Sequence, residues 1–302
     1  MAELESTFSW SFSRHLTFQE CPRKYWFNYY GAWGGWEHDA PAEARELYLL
    51  KKISNLHMLA GDVVHRAIAG VLNAFRRGEK ADPEETVAWC KAEMQRAFSE
   101  SKQELWRENP KGFTRLHEHH YGPKPDLPFL QKIAKKIGTC VRAFFKSRPF
   151  ALIRETDPQK WLSVETLDTF DFEGTEVFAV PDFACPIGDD VVVFDWKTGW
   201  PSKTHRSQVI LYGLYGVKKW GVARETLLAA PIYLLKGGDF SDRRITEEDA
   251  ERVSGLMRDS IAKMRDRLQD PQGNVAVRES FQPYPGRVCR SCPFRSVCPE
   301  AL

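Results

Sequence analysis

The 302-residue chain contains no run of about 18 apolar residues, the length a membrane-spanning helix requires, so no span is expected. It carries no excess of one charge. Lys and Arg number 43 against 41 Asp and Glu, a net charge of +2, so bulk charge gives no support to nucleic-acid binding. It lacks Gly-x-x-x-x-Gly-Lys-[Ser/Thr], which excludes a P-loop motor of its own. No secretory leader is legible at its start. That predicts a cytoplasmic protein and leaves seven cysteines without the oxidising setting of a disulfide framework. Internal repeats and low-complexity tracts are absent too. A length of 302 residues with 42% hydrophobic content fits one large domain, or one with a substantial insertion.

What is present is a concentration of carboxylates near one amine. Val180-Pro181-Asp182 is followed, thirteen residues after the Asp, by Asp195-Trp196-Lys197. Val191 to Phe194 are β-branched or aromatic and predict a strand, on which Asp195 and Lys197 share a face. Phe178 to Phe183 reads as the preceding strand, and Gly188-Asp189-Asp190 as the turn between them. Strands joined this tightly pair antiparallel, which brings Asp182 close to Asp195. Two neighbouring carboxylates repel unless a cation separates them, and the hard cations for such oxygens are Mg²⁺ and Mn²⁺. A divalent ion with a Lys on the same face suits phosphodiester hydrolysis. Any one of these residues alone is more often an ordinary surface or turn residue.

Pro181-Asp182 with Asp195-Trp196-Lys197 resembles the core of the PD-(D/E)XK nuclease superfamily, and Asp195-Trp196-Lys197-Thr198-Gly199 is similar to its RecB-type branch. Asp195 stands where many relatives have Glu, a change that keeps the carboxylate. Gly61-Asp62-Val63-Val64-His65 lies on a predicted helix at about 54–77, whose apolar residues recur at helical spacing. It is similar to the branch's Gly-x-x-x-His, in which the His completes the metal site. An imidazole among oxygen donors also suits Mn²⁺. Gln208 and Tyr212 share a face of a predicted helix opened by Thr204. The resemblance places them toward the active site, holding DNA. Glu165 falls where the family often has a Glu near the metal. The resemblance thus implies that His65, Asp182, Asp195 and the carbonyl of Trp196 bind Mn²⁺ or Mg²⁺, and that Lys197 positions the attacking water.

The cysteines divide into two groups. Cys90, Cys140 and Cys185 sit in apolar contexts and read as buried thiols. Cys289-x-x-Cys292-x₅-Cys298 has metal-binding spacing but lacks a fourth ligand nearby. Spacing alone leaves zinc and iron–sulfur open. The arrangement of Cys21 with these three, one before the core and three after, resembles helicase-linked AddB nucleases and CRISPR-associated RecB-like exonucleases. That implies a [4Fe–4S] cluster rather than zinc, joining residues 1–36 to 281–302 as a staple.

Organisation follows. Residues 13–30 read as helical, with Ser13 as cap and a break near Pro22. Helices are expected from Asp82-Pro83-Glu84-Glu85 and over 127–147, making 80–150 a helical insertion. Asn109 to Pro128, with His117, His119 and His120, reads as a solvated loop. Strands are expected at 161–170, 176–184, 190–197 and 227–235, and a last helix from Thr246 to Leu268. The fold class is therefore α/β, a restriction-endonuclease-like core with a mixed sheet flanked by helices. Most aromatics around Tyr25 to Trp36 are expected in the packed interior rather than stacked on bases. The reading is a metal-dependent exonuclease acting on single-stranded DNA ends, with a separate helicase or CRISPR integrase proteins as partners. The alternatives are a non-catalytic DNA- or partner-binding subunit and an RNase of the same fold.

Overall fold

A computed structural model describes residues 7–239 and 243–301. The chain opens with strand β1 (Ser9–Ser11) and helix α1 (Phe12–Glu20). The cap is Ser11, whose Oγ accepts the Arg14 N–H, and not Ser13, which lies inside the first turn. Pro22 cannot continue α1, so Cys21 is extended and α2 (Pro22–Trp26) restarts with Pro at its first position. A π-helical turn, Phe27–Gly31, and α3 (Ala42–Lys51) follow. Tyr25 and Phe27 are buried, as expected for this aromatic segment, and Trp33 is exposed.

After β2 (Ile53–Ser54), α4 (Leu56–Arg76) is capped by Asn55 and ended near Gly78, whose φ of +77° suits glycine. Asp82 caps α5 (Pro83–Lys102) by accepting the N–H groups of Glu84 and Glu85. The segment expected as a solvated loop contains β3 (Arg115–Leu116), paired with β2, and a short helix, α6 (His117–His120). It is half-buried because its side chains bond the core: His119 Nδ1 lies 2.9 Å from Ser101 Oγ. Helices α7 (Leu127–Lys146) and α8 (Arg148–Arg154) lead to the strands.

Two of the expected strands are each divided. The 161–170 stretch yields β4 (Ser163–Val164) and β5 (Asp168–Phe172), broken at Glu165, where φ is +48°. The 176–184 stretch yields β6 (Thr175–Ala179) and β7 (Phe183–Ile187), interrupted at Pro181, which has no N–H for a ladder. Strand β8 (Asp190–Lys197) forms the expected hairpin with β7 across Gly188-Asp189. Helix α9 (Lys203–Trp220) is capped by Ser202 rather than Thr204 and crosses over to β9 (Leu227–Tyr233), parallel to β8. The chain continues through β10 (Arg243–Arg244) and α10 (Glu247–Arg265), capped by Thr246 as expected.

The main mixed sheet has the order β10-β9-β8-β7-β4, and β1-β6-β5 form a second sheet. Alternation along β8 divides the interior. Val192, Phe194 and Trp196 pack with Val63, Ile68, Ile137 and Phe144 of α4 and α7. Val191 and Val193 face Val209, Leu211, Val253 and Met257 of α9 and α10. Helices thus cover both faces, the expected α/β layering. Stretch 80–150 supplies Val87, Cys90, Cys140 and Val141 to the first of these cores. A third cluster joins Phe27, Leu47 and Tyr48 to Phe294, with Cys292 and Cys298 against it, and so ties both ends of the chain together.

Candidate active site

The carboxyl end of β8 is where the layers converge. Asp195 and Lys197 continue the α9-facing side of the strand, set by its two-residue period. The register Phe183↔Phe194 puts Asp182, just before β7, opposite Asp195. Helix α4 buries its Val63 and Val64 and leaves His65 at the rim. Gly61, one turn earlier, permits this approach: a Cβ there would stand 3.2 Å from Thr198 Oγ1.

His65 Nδ1 lies 3.2 Å from Glu165 Oε1 and 3.4 Å from Asp182 Oδ2. One donor atom from each of the three falls within 4.8 Å of the others, close enough to share an ion. The left-handed turn at Glu165 is what carries its carboxylate out of the strand line toward His65. Asp182 is 6% exposed, and its Oδ2 accepts the Trp196 N–H at 2.6 Å, which locks the two strand ends together. Asp195 is 1% exposed. Its Oδ2 lies 2.5 Å from Lys197 Nζ as an ion pair. Lys197 Nζ also donates to Gln208 Oε1 at 2.8 Å, and Gln208 Nε2 donates to the Tyr212 hydroxyl at 2.9 Å.

The carboxylates of the site are buried and crowd one another. Burial and the Asp182 carboxylate push the Asp195 carboxyl up to about 7, against the opposing pull of Lys197 and His65. Burial likewise raises Glu165, with His65 opposing and Asp182 adding to the rise. Burial alone would lower His65, but the carboxylates of Asp182 and Glu165 outweigh it and hold the imidazole well above its ordinary range. Three carboxylates therefore share one imidazole and one ammonium. His65, Glu165 and Asp182, with the buried Asp195 carboxylate opposite Asp182, fit a divalent ion of the Mg²⁺ or Mn²⁺ type.

The family model of the PD-(D/E)XK nuclease superfamily matches residues 9–299. The chain belongs to this superfamily. No curated protein matches it. Membership makes the chain a metal-dependent nuclease, and PD-(D/E)XK nucleases typically use Mg²⁺ or Mn²⁺. No helix among the described residues is long and apolar enough to cross a membrane.

In this PD-(D/E)XK nuclease the structure brings together His65, Glu165, Asp182, Asp195, Lys197 and Gln208. Tyr212 is buried behind Gln208, whose amide donates to its hydroxyl. The Trp196 side chain is fully buried and turned away, stacked on Phe194 at 5.7 Å.

Cys289, Cys292 and Cys298, marked by their spacing, and Cys21, joined to them by the resemblance, line one cavity with Phe27, Tyr284 and Val288. All four are free thiols, and no disulfide forms among the described residues. The Tyr284 N–H points at Cys21 Sγ and the Gly286 N–H at Cys289 Sγ, both at 3.4 Å. Burial raises the Cys292 thiol to about 11 and raises Cys298 as well. Cys90, Cys140 and Cys185 are buried, as expected of packing thiols.

Two features escaped sequence reasoning. Glu118 Oε1 accepts the Leu56 N–H at 2.9 Å and so caps the helix that carries His65. Beside it, Tyr121 donates to the Pro293 carbonyl at 2.8 Å, and Arg295 stacks over the Tyr121 ring at 4.0 Å. The cysteine region thus touches the segment that holds α4. No local signal marks Glu118, because its partner lies 62 positions away. Tyr233 is the second: it pairs in register with Lys197, and its hydroxyl lies 3.3 Å from His205 Nδ1.

Proposed function

We propose that this PD-(D/E)XK nuclease is a DNA exonuclease that acts on single-stranded ends and carries a structural [4Fe–4S] cluster. The observation that carries the catalytic part is the convergence of His65, Glu165 and Asp182 donor atoms within 4.8 Å, with the buried Asp195 carboxylate opposite Asp182. His65, Asp182, Asp195 and the Trp196 carbonyl would hold the ion, with Glu165 fixing the imidazole. A bound Mn²⁺ or Mg²⁺ would polarise the phosphodiester and acidify water. Lys197, braced between Asp195 and Gln208, would orient that water and stabilise negative charge building on the phosphoryl oxygens. Gln208, with Tyr212 behind it, would hold the substrate strand.

Preference for free single-stranded ends is supported by the resemblance to iron–sulfur RecB-like exonucleases in the Asp195-Trp196-Lys197-Thr198-Gly199 run, Gly61-x-x-x-His65 and the order of the four cysteines. A helicase or CRISPR integrase proteins would then deliver the strand. The cluster reading is supported by the cavity that Cys21, Cys289, Cys292 and Cys298 surround. Backbone N–H groups aimed at two of the sulfurs suit cluster ligands.

The test is digestion of end-labelled linear and circular single-stranded DNA, duplex DNA and RNA with Mn²⁺, by wild type and Lys197→Ala. Wild type is expected to degrade the linear single strand and spare the circle, with Lys197→Ala inactive. Equal cutting of the circle makes the enzyme an endonuclease, and digestion of RNA alone makes it an RNase. Identical, metal-independent behaviour of the two proteins sinks the catalytic reading in favour of a binding subunit. Anaerobic purification is expected to give a brown protein with iron and sulfide; colourless protein holding zinc refutes the cluster.

A further inference from the structure

Trp200 is 70% exposed, the most exposed large hydrophobic side chain among the described residues. It stands three residues after Lys197, in the irregular segment before the Ser202 cap of α9. Three residues span at most about 11 Å, so its backbone cannot lie further than that from the lysine's. Leu167, 64% exposed, holds the matching position two residues after Glu165. Both metal-side and lysine-side segments thus end in an apolar side chain presented to water. Scattered surface hydrophobics need no explanation, but two placed on the chain beside an acidic catalytic centre do.

The acidic centre makes an apolar partner chain a poor explanation for their place. A nucleic-acid strand drawn to the ion and to Lys197 would carry its bases past this rim. We infer that Trp200 is a stacking platform for an unpaired nucleobase one or two nucleotides from the scissile phosphate, with Leu167 as the apolar surface facing that strand. A base inside a duplex has both faces already stacked, whereas an unpaired or terminal base offers a free face. The platform would therefore set the single-strand preference. This inference rests on the nuclease reading above and deepens it.

Binding is measured by fluorescence anisotropy with single-stranded oligonucleotides in which one abasic nucleotide is moved along the strand. The protein is full-length Lys197→Ala, with Mn²⁺, so that nothing is cut. One abasic position is expected to weaken binding about 5- to 100-fold, the equivalent of one stacked base. Adding Trp200→Ala is expected to cause a comparable loss with intact DNA and to make that abasic position silent, whereas Trp200→Phe retains its sensitivity. A merely structural role for Trp200 would lower affinity without this coupling. In the otherwise wild-type enzyme, Trp200→Ala should raise KM more than it lowers kcat. The inference is overturned if Trp200→Ala leaves affinity unchanged, if its effect adds to that of every abasic position, or if the parent does not bind DNA. Coupling without cleavage by the wild type would sink the nuclease reading alone; cleavage without coupling would sink this inference alone.

Discussion

Asp195→Asn should stabilise the metal-free protein while removing its activity. The carboxyl group rises from 3.8 to about 7 because it is buried and faces Asp182. A raised carboxylate pKa means the folded state holds the proton more tightly than the unfolded chain. The stability that proton contributes is complete below about pH 4 and is lost as pH rises through about 7. At pH 8 the ionised group therefore destabilises the metal-free fold, by at most about 4 kcal/mol. An Asn amide removes that burden, and Lys197 keeps its bond to Gln208 while losing its carboxylate partner. A net gain of about 1–2 kcal/mol would raise Tm by roughly 2–6 °C for a chain of this size. Thermal melts in EDTA at pH 8 and pH 5 measure it, and the gain should shrink by more than half at pH 5. Added Mn²⁺ should reverse the order, since ligand at a hundred times its Kd stabilises wild type by about 2.7 kcal/mol. A lower Tm for Asp195→Asn in EDTA at pH 8, or an equal gain at pH 5, refutes the reasoning.

If the proposed cluster is bound, Cys21→Ser should loosen both ends of the chain, because its binding energy would then be part of the folding energy for the region around Phe27 and Phe294. Limited proteolysis with mass spectrometry should then show early cuts both before residue 36 and after residue 281; intact termini contradict this. Glu118→Ala removes the partner of the Leu56 N–H and should cost about 1 kcal/mol, the worth of a helix cap. Because α4 carries His65, Mn²⁺ affinity measured calorimetrically should fall with it, and an unchanged Tm and affinity would show that the bond is idle. Gly61→Val should cut activity more than stability by forcing α4 off Thr198. Gly61→Ala should be mild, since a hydroxyl can turn away from a single Cβ. Equal turnover by Gly61→Val and wild type would contradict the close approach.

What was legible in the sequence is what depends on short-range period. Two-residue alternation placed Asp195 and Lys197 on one face, and helical spacing of apolar residues marked the helix that carries His65. The hairpin that sets Asp182 opposite Asp195 was legible from Gly188 and its neighbours. What was hidden depends on distant partners. Glu165 leaves the strand line at a left-handed residue, a conformation that Glu does not advertise. The pairing of Ser9–Ser11 with β6 joins residues more than 160 positions apart. The break at Pro181 was marked by the proline itself, but the motif's strand-like neighbours masked the passage from one sheet to the other. Serines at 11 and 202 took the capping places expected of Ser13 and Thr204, an offset of two residues that composition alone does not resolve.

The most direct measurement is an anomalous difference map from a crystal of the protein grown or soaked with Mn²⁺. The account predicts a peak within coordination distance of His65, Asp182 and Asp195. A map without a peak there at saturating Mn²⁺, or with its strongest peak away from those three side chains, would contradict it.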